Sequence, residues 1–71
     1  MEYIRLREGE VYIKLGQALK KTGIAVNGAE AAEMIRGAMI TVNGEEELRR
    51  GRKLFAGDFF SDGKRQIGIE A

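Results

Sequence analysis

The chain must fold around one small apolar core, because it has only 71 residues and no cysteine. A domain of this length buries little surface, and without cysteine neither a disulfide nor a thiolate metal site can reinforce it. No proline and no low-complexity stretch interrupts the sequence. We therefore predict a single domain over residues 1–71, with ten glycines marking its turns.

The residues that most enzymes depend on are missing. Histidine is absent, which removes the commonest general base at neutral pH and the commonest metal ligand. Ser61 is the single serine, so a nucleophilic triad cannot be assembled. We expect no catalysis, no cofactor and no metal site. No signal peptide is recognisable and the apolar runs are far shorter than the ~20 residues of a membrane span, so the expected location is the cytoplasm.

Helical periodicity predicts two short helices. The first covers residues 15–22 and stops at Gly23, and the second covers residues 28–36. Asn27 is a favourable N-cap, and Glu30 three residues later completes a capping box. The predicted buried faces are Leu15, Ala18 and Leu19 on the first helix, and Ala31, Met34 and Ile35 on the second.

Short strands are predicted on either side of the helices. Asn43-Gly44 is the strongest turn signal, because both central residues of a type I′ hairpin take positive φ. Strands are expected over residues 1–7, 11–13, 39–42, 45–46, 53–55, 59–60 and 66–69. Between these elements, Ile24 and Val26 are expected to plug the core, and residues 47–52 to form an exposed basic connection. The predicted fold class is α+β, with two short helices packed on a small, mostly antiparallel sheet.

Charge is nearly balanced over the whole chain, at +1, but it is unevenly distributed. Residues 1–47 carry a net charge of −2, whereas residues 48–71 carry +3. Four basic residues fall within five positions, namely Arg49, Arg50, Arg52 and Lys53. Guanidinium groups form forked hydrogen bonds to phosphate, and the intervening glycine lets a backbone approach closely. The residues alone leave two interpretations open, a phosphate-binding loop or a solvated charged turn.

Residues 14–60 resemble the S4 RNA-binding domain, also called the alpha-L motif. The matching residues are Lys14-Leu15-Gly16, Leu19, Gly23, Asn27, Ala31, Met34 and Ile35 around the helices, Ile40-Thr41-Val42-Asn43-Gly44 in the hairpin, and Gly57-Asp58-Phe59 in the later turn and strand. Residues 47–54 look like those of a narrower subgroup of short, stand-alone bacterial proteins. The resemblance implies non-catalytic binding of structured RNA, often ribosomal or transfer RNA, by the helices and adjoining loops.

Residues outside the 49–53 segment are further candidates for RNA binding. Lys14, Lys20 and Lys21 lie at or on the first helix and extend the basic patch, although for Lys20 and Lys21 the residues alone favour a role in helix-dipole complementation and solubility. Asn43 and Gly44 are explained first by turn chemistry, and the resemblance adds that their hairpin presents its backbone to RNA.

The second helix departs from the family pattern. Asn27-Gly28 stands where Ser-Arg is common, and Ala32 and Glu33 stand where basic residues are common. Because Glu30 and Glu33 repel phosphate, we expect the main contact at residues 49–53. Ala38 occupies a position that is usually glycine, and Gly37, which is expected to end the helix, comes one residue earlier.

Acidic and aromatic residues each allow two interpretations. The run Glu45-Glu46-Glu47 is either a site that holds Mg²⁺ or acts in acid–base chemistry, or a solvated strand end that pairs with the nearby arginines. The strand end is preferred because adjacent side chains do not converge. The aromatic residues suggest base stacking, but none is assigned to it. Phe59 and Phe60 face opposite sides of a strand, so one of them is expected in the core.

Two functions of different classes remain open. The first is an RNA-binding module that recognises RNA shape through phosphate contacts, with strongly salt-dependent affinity. The alternative is a protein–protein adaptor with the same fold, which the near-zero net charge and the acidic second helix favour. A small enzyme, or the regulatory piece of one, is disfavoured by the missing catalytic residues, and the sequence does not determine an oligomeric state.

Overall fold

A computed structural model of the protein describes all 71 residues. The elements in chain order are β1 (Glu2–Arg5), β2 (Tyr12–Lys14), α1 (Leu15–Lys21), α2 (Gly28–Arg36), β3 (Thr41–Val42), β4 (Glu45–Glu46), β5 (Lys53–Phe55), β6 (Phe59–Ser61) and β7 (Gln66–Glu70). The predicted α+β class is confirmed. Neither helix has the length and apolar character needed to cross a membrane.

The strands form two sheets. The larger has the order β1-β7-β6-β3-β4, in which β1 runs parallel to β7 and every other pair is antiparallel. The smaller sheet is an antiparallel ribbon of β2 and β5, which register Ile13 opposite Leu54. Because β2 leads directly into α1, this ribbon lies at the N-terminal end of that helix.

One apolar core joins the helices to both sheets. Its fully buried large side chains are Phe60, Leu15, Leu19, Ile35, Ile40, Leu54 and Ile67. Phe60 is the core member of the Phe59-Phe60 pair, as the alternation of a strand requires, and Phe59 is only partly buried. The buried faces predicted for the two helices are confirmed, with Met34 packed at the margin of the core.

The caps of α2 explain where this helix begins and ends. Asn27 Oδ1 accepts a hydrogen bond from the Glu30 N–H at 2.8 Å, and Glu30 Oε1 accepts one from the Val26 N–H at 2.9 Å. At the other end, the Ala38 N–H donates to the Ile35 carbonyl and the Met39 N–H donates to the Met34 carbonyl. This is a Schellman motif, and it places Ala38 in the left-handed region at φ 59°.

Three expectations about the connections are wrong. Val26 does not plug the core, because its side chain is 78% exposed and Ala25 is buried in its place. The third strand is only Thr41–Val42, since the Schellman motif holds Met39 in the exit from α2. Glu47 is not part of an exposed connection, because only 6% of its surface is accessible.

Candidate nucleic-acid interface

The basic segment 49–53 lies against the start of α1. The Leu15 N–H donates to the Arg52 carbonyl at 2.8 Å, and the Gly16 N–H donates to the Arg50 carbonyl at 3.1 Å. The first N–H groups of a helix have no partner within the helix, so these loop carbonyls supply one. The backbone of the loop is therefore fixed to the helix, and its side chains project from a defined position.

Glu47 organises the loop from beneath. Its Oε2 accepts hydrogen bonds from the backbone N–H and the Nε of Arg49, both at 3.0 Å. Its Oε1 accepts from Nη2 of Arg49 at 3.1 Å and from Nη1 of Arg52 at 2.6 Å. The pairing of this acidic run with the nearby arginines is confirmed for Glu47, although the residue is buried where a solvated strand end was expected.

This contact also determines the charge state of Glu47. The hydrogen bonds from Arg49, assisted by that from Arg52, lower the pKa of Glu47 from its ordinary value to about 2, against the opposing effect of burial. The same pairing raises the pKa of Arg49 above its ordinary value. The carboxylate is thus ionised at neutral pH and cancels part of the charge of the loop.

The two arginines held by Glu47 still offer donors to solvent. A guanidinium group carries five N–H donors, and Arg49 uses two of them and Arg52 one in these contacts. The side chain of Arg49 remains 73% exposed and that of Arg52 30% exposed. Glu47 therefore orients these guanidinium groups without consuming their capacity to bind an anion.

An open depression of about 530 Å³ lies beside the loop. Its lining residues are Arg49, Gly51, Arg52, Lys53 and Phe55. Three of these five residues are cationic and none is acidic. The depression is thus a site of positive potential with one aromatic wall.

A second cleft of about 130 Å³ lies between the two helices and the loop. Its lining includes Gln17 and Lys20 of α1, Gly28 and Ala31 of α2, and Arg50. No acidic residue of α2 lines this cleft. The side chain of Glu30 is turned back to cap its own helix. Lys20 and Arg50 therefore line one cleft that has no carboxylate in its walls.

Two lysines face each other across the β2–β5 ribbon. Lys14 is registered directly opposite Lys53, and the ammonium of Lys53 lies 4.9 Å from the centroid of the Tyr12 ring. Like charges placed directly across a ribbon reduce its stability. This arrangement adds positive potential next to the depression at a cost to folding.

The remaining candidate residues lie away from the depression and the cleft, or their polar groups are used in hydrogen bonds within the protein. Lys21 lines a different surface hollow, shared with Glu2 and Arg65. Asn43 and Gly44 form the predicted turn, with φ values of 53° and 84°. The side chain of Asn43 donates to Asp58 Oδ1 at 3.1 Å and accepts from the Phe59 N–H at 3.0 Å, so both of its polar ends are used.

Sequence reasoning missed two parts of this surface. It assigned no role to Tyr12 and Phe55, although their strand positions alternate with the partly buried Ile13 and the buried Leu54 and therefore point outward. It also placed Glu47 on a solvated strand end and did not predict that this residue is buried and organises the loop. A carboxylate two residues before one arginine and five before another was the available signal.

The geometry is that of a small α+β module with a cationic surface formed by a loop, a helix end and a ribbon. The family model of the S4 domain matches residues 2–70. The chain therefore belongs to the S4 domain family, as the resemblance predicted. Domains of this family are generally RNA-binding rather than catalytic, which supports an RNA-binding role. A search of curated proteins finds no match to the chain.

Proposed function

We propose that this protein binds structured RNA, of the ribosomal or transfer class, without catalysing a reaction. Arg49, Arg50, Arg52 and Lys53 make the principal phosphate contacts, and Lys14 and Lys20 extend them along α1. The observation that carries the proposal is that three separate elements, the basic loop, the β2–β5 ribbon and α1, place these cations on neighbouring parts of one surface.

The electrostatic arrangement supports binding to a polyanion. No acidic side chain lines either the depression or the cleft, and the carboxylate of Glu47, which pairs with two of the arginines, is buried beneath the loop. A compact basic surface attracts phosphate on a nearly neutral protein, because the local field acts within a Debye length of ~10 Å. Ribosome association and a cytoplasmic location belong to the same proposal.

Lys21, Asn43 and Gly44 have a smaller part in the proposal. Lys21 lies on a different surface hollow from the other cations and is expected to contribute only long-range attraction. The hydrogen bonds of Asn43 favour a role in shaping the turn, and direct contact between the hairpin and RNA stays a prediction from the resemblance.

The test is RNA binding by fluorescence anisotropy, with a labelled ribosomal hairpin and a transfer RNA across a salt series. The variant Arg50→Ala/Lys53→Ala removes two cations that are not paired with Glu47, so the loop keeps its anchor. The salt slope is the change in the logarithm of the association constant with the logarithm of the salt concentration, and removing one phosphate-binding cation reduces its magnitude by about 1. The double variant is therefore expected to show a slope smaller by about 2, together with a much weaker affinity.

A matched control removes the same charge elsewhere. Arg36→Ala/Lys64→Ala also deletes one arginine and one lysine, both exposed and neither in an ion pair. The proposal requires this control to bind nearly as tightly as the wild type. Salt-independent binding, or no binding to either RNA, would reject the proposal and favour the protein–protein adaptor.

A further inference from the structure

The outward face of the β2–β5 ribbon carries two aromatic rings that the core does not use. Tyr12 and Phe55 are registered opposite each other with ring centroids 5.8 Å apart and planes inclined at 54°. Phe55 remains 44% exposed. Other large apolar side chains are also exposed, but these two are aromatic, contact each other and lie beside the cationic loop, which is the arrangement that needs an explanation.

Phe55 is also the one apolar wall of the depression beside the loop. The other walls are Arg49, Arg52 and Lys53, with Gly51 as the point where a backbone can approach closely. An aromatic ring adjacent to guanidinium and ammonium groups matches the two halves of a nucleotide. The ring offers a stacking surface to a base, and the cations offer donors to its phosphate.

We propose that this depression takes one unpaired nucleotide of the bound RNA, with its base stacked on Phe55 and its phosphate held by Arg49, Arg52 and Lys53. The inference rests on the proposed function and specifies the RNA it selects, a structured element flanked by an unpaired nucleotide. The base must be unpaired, because bases within a duplex are already stacked and the deep groove of an A-form helix does not admit side chains.

Contacts with neighbouring residues hold the Phe55 ring and the cations of the depression in place. Tyr12 packs against Phe55 and braces it in its inclined orientation. The ammonium of Lys53 lies over the ring of Tyr12, 4.9 Å from its centroid. Glu47 fixes the other two cations of the depression, Arg49 and Arg52. With three cations and no carboxylate in its walls, the depression is complementary to an anion and not to a neutral apolar protein segment.

The experiment compares two RNA hairpins with identical stems. One is blunt, and the other carries a single unpaired 2-aminopurine nucleotide, whose fluorescence falls when it stacks. The proteins are the wild type, Phe55→Leu, which keeps an apolar side chain without the ring, and Tyr3→Leu, which removes an exposed aromatic ring from β1 of the other sheet. Stacking of one base on an aromatic residue is expected to tighten binding about tenfold.

The wild type and Tyr3→Leu should bind the hairpin with the unpaired nucleotide about tenfold more tightly than the blunt hairpin, and should quench the fluorescence of its 2-aminopurine. Phe55→Leu should bind both hairpins with the affinity of the wild type for the blunt one. Equal, salt-dependent binding of both hairpins by the wild type overturns this inference and leaves the proposed function standing. Quenching that survives in Phe55→Leu places the base elsewhere and also overturns it, whereas no binding to either hairpin overturns the proposed function itself.

Discussion

The carboxylate of Glu47 and the guanidinium of Arg49 form a two-point contact beneath the basic loop, with Oε2 3.0 Å from Nε and Oε1 3.1 Å from Nη2. The backbone N–H of Arg49 donates to the same carboxylate, so the side chain and the main chain are fixed together. The buried carboxylate of Glu47 thereby determines both the path of the loop and the orientation of Arg49, a candidate phosphate-binding side chain.

Replacing this acid should reduce stability in a pH-dependent manner. The pKa of Glu47 is about 2 in the folded protein and near 4.5 when unpaired, so the unfolded state binds more protons between these values. The contribution of ionised Glu47 to the free energy of unfolding is fully present above pH 4.5 and is lost as the pH falls toward 2. We expect Glu47→Gln to lower the free energy of unfolding by about 2–3 kcal/mol at pH 7, and by roughly half as much at pH 3.

Urea denaturation at the two pH values measures this difference. Glu46→Gln is the matched control, because it neutralises the neighbouring acid, which is exposed and forms no ion pair. This control should stay within ~0.5 kcal/mol of the wild type. An equal effect of Glu47→Gln at pH 7 and pH 3 would show that charge pairing is not the source of its stability.

Ala38 should be a position where glycine stabilises the protein. Its φ of 59° lies in the left-handed region, which costs an L-residue with a Cβ roughly 1–2 kcal/mol, partly offset by the greater unfolded-state entropy of glycine. We expect Ala38→Gly to raise the free energy of unfolding by about 0.5–1 kcal/mol and the Tm by about 2–8 °C in a thermal scan.

A glycine at positive φ, Gly23, provides the control through the reverse substitution. Gly23 has φ 77° and open space around its Cα, so Gly23→Ala adds backbone strain without a steric clash. It should lower the Tm. A fall in Tm for Ala38→Gly as well would mean that the methyl group of Ala38 makes a packing contribution larger than the strain.

These positions illustrate what the sequence could and could not predict. Helix bounds, the type I′ turn and the buried faces depend on local pattern, and residues such as Asn27 and Asn43 signal them directly. The burial of Glu47 and the pairing of β1 with β7 depend on contacts between distant segments. No local pattern encodes such contacts, so charge alone made Glu47 look exposed.

The candidate site likewise has features that local sequence predicts and features that depend on contacts between distant segments. The basic run 49–53 is visible as composition, but its attachment to the N–H groups of Leu15 and Gly16 appears only when the chain folds. The departure at Ala38 is visible as a missing glycine, and the Schellman motif supplies its physical meaning. The pairing of Tyr12 with Phe55 required the register of two strands that are far apart in the sequence.

Asn43 should act on stability and not directly on RNA affinity. Asn43→Ala removes two side-chain hydrogen bonds and leaves a non-glycine residue at positive φ, so a loss of about 1–3 kcal/mol is expected in urea denaturation. Asn43→Gly removes the same hydrogen bonds but relieves the strain, and it should be the milder change. Anisotropy on the folded variants should give Kd values within about twofold of the wild type. A larger rise in Kd would assign Asn43 to the RNA contact itself.

Gly16 should control the position of Arg50 in the cleft. A Cβ at Gly16 would lie 2.8 Å from Cγ and 3.4 Å from Cδ of Arg50, so the arginine side chain must move away. We expect Gly16→Ala to weaken RNA binding about three- to tenfold, the effect of removing one charge-assisted hydrogen bond. Stability should change by less than ~1 kcal/mol, because the higher helix propensity of alanine offsets the crowding.

Gly28→Ala is the matched control for this substitution. Gly28 lines the same cleft, but an added Cβ there meets nothing within 4 Å, so binding should be unchanged. The double variant Gly16→Ala/Arg50→Ala should bind no more weakly than Arg50→Ala alone, because both changes remove the same interaction with RNA. Additive effects would mean that Gly16 acts on RNA binding by a route other than Arg50, such as a displacement of the loop backbone that is hydrogen-bonded to α1.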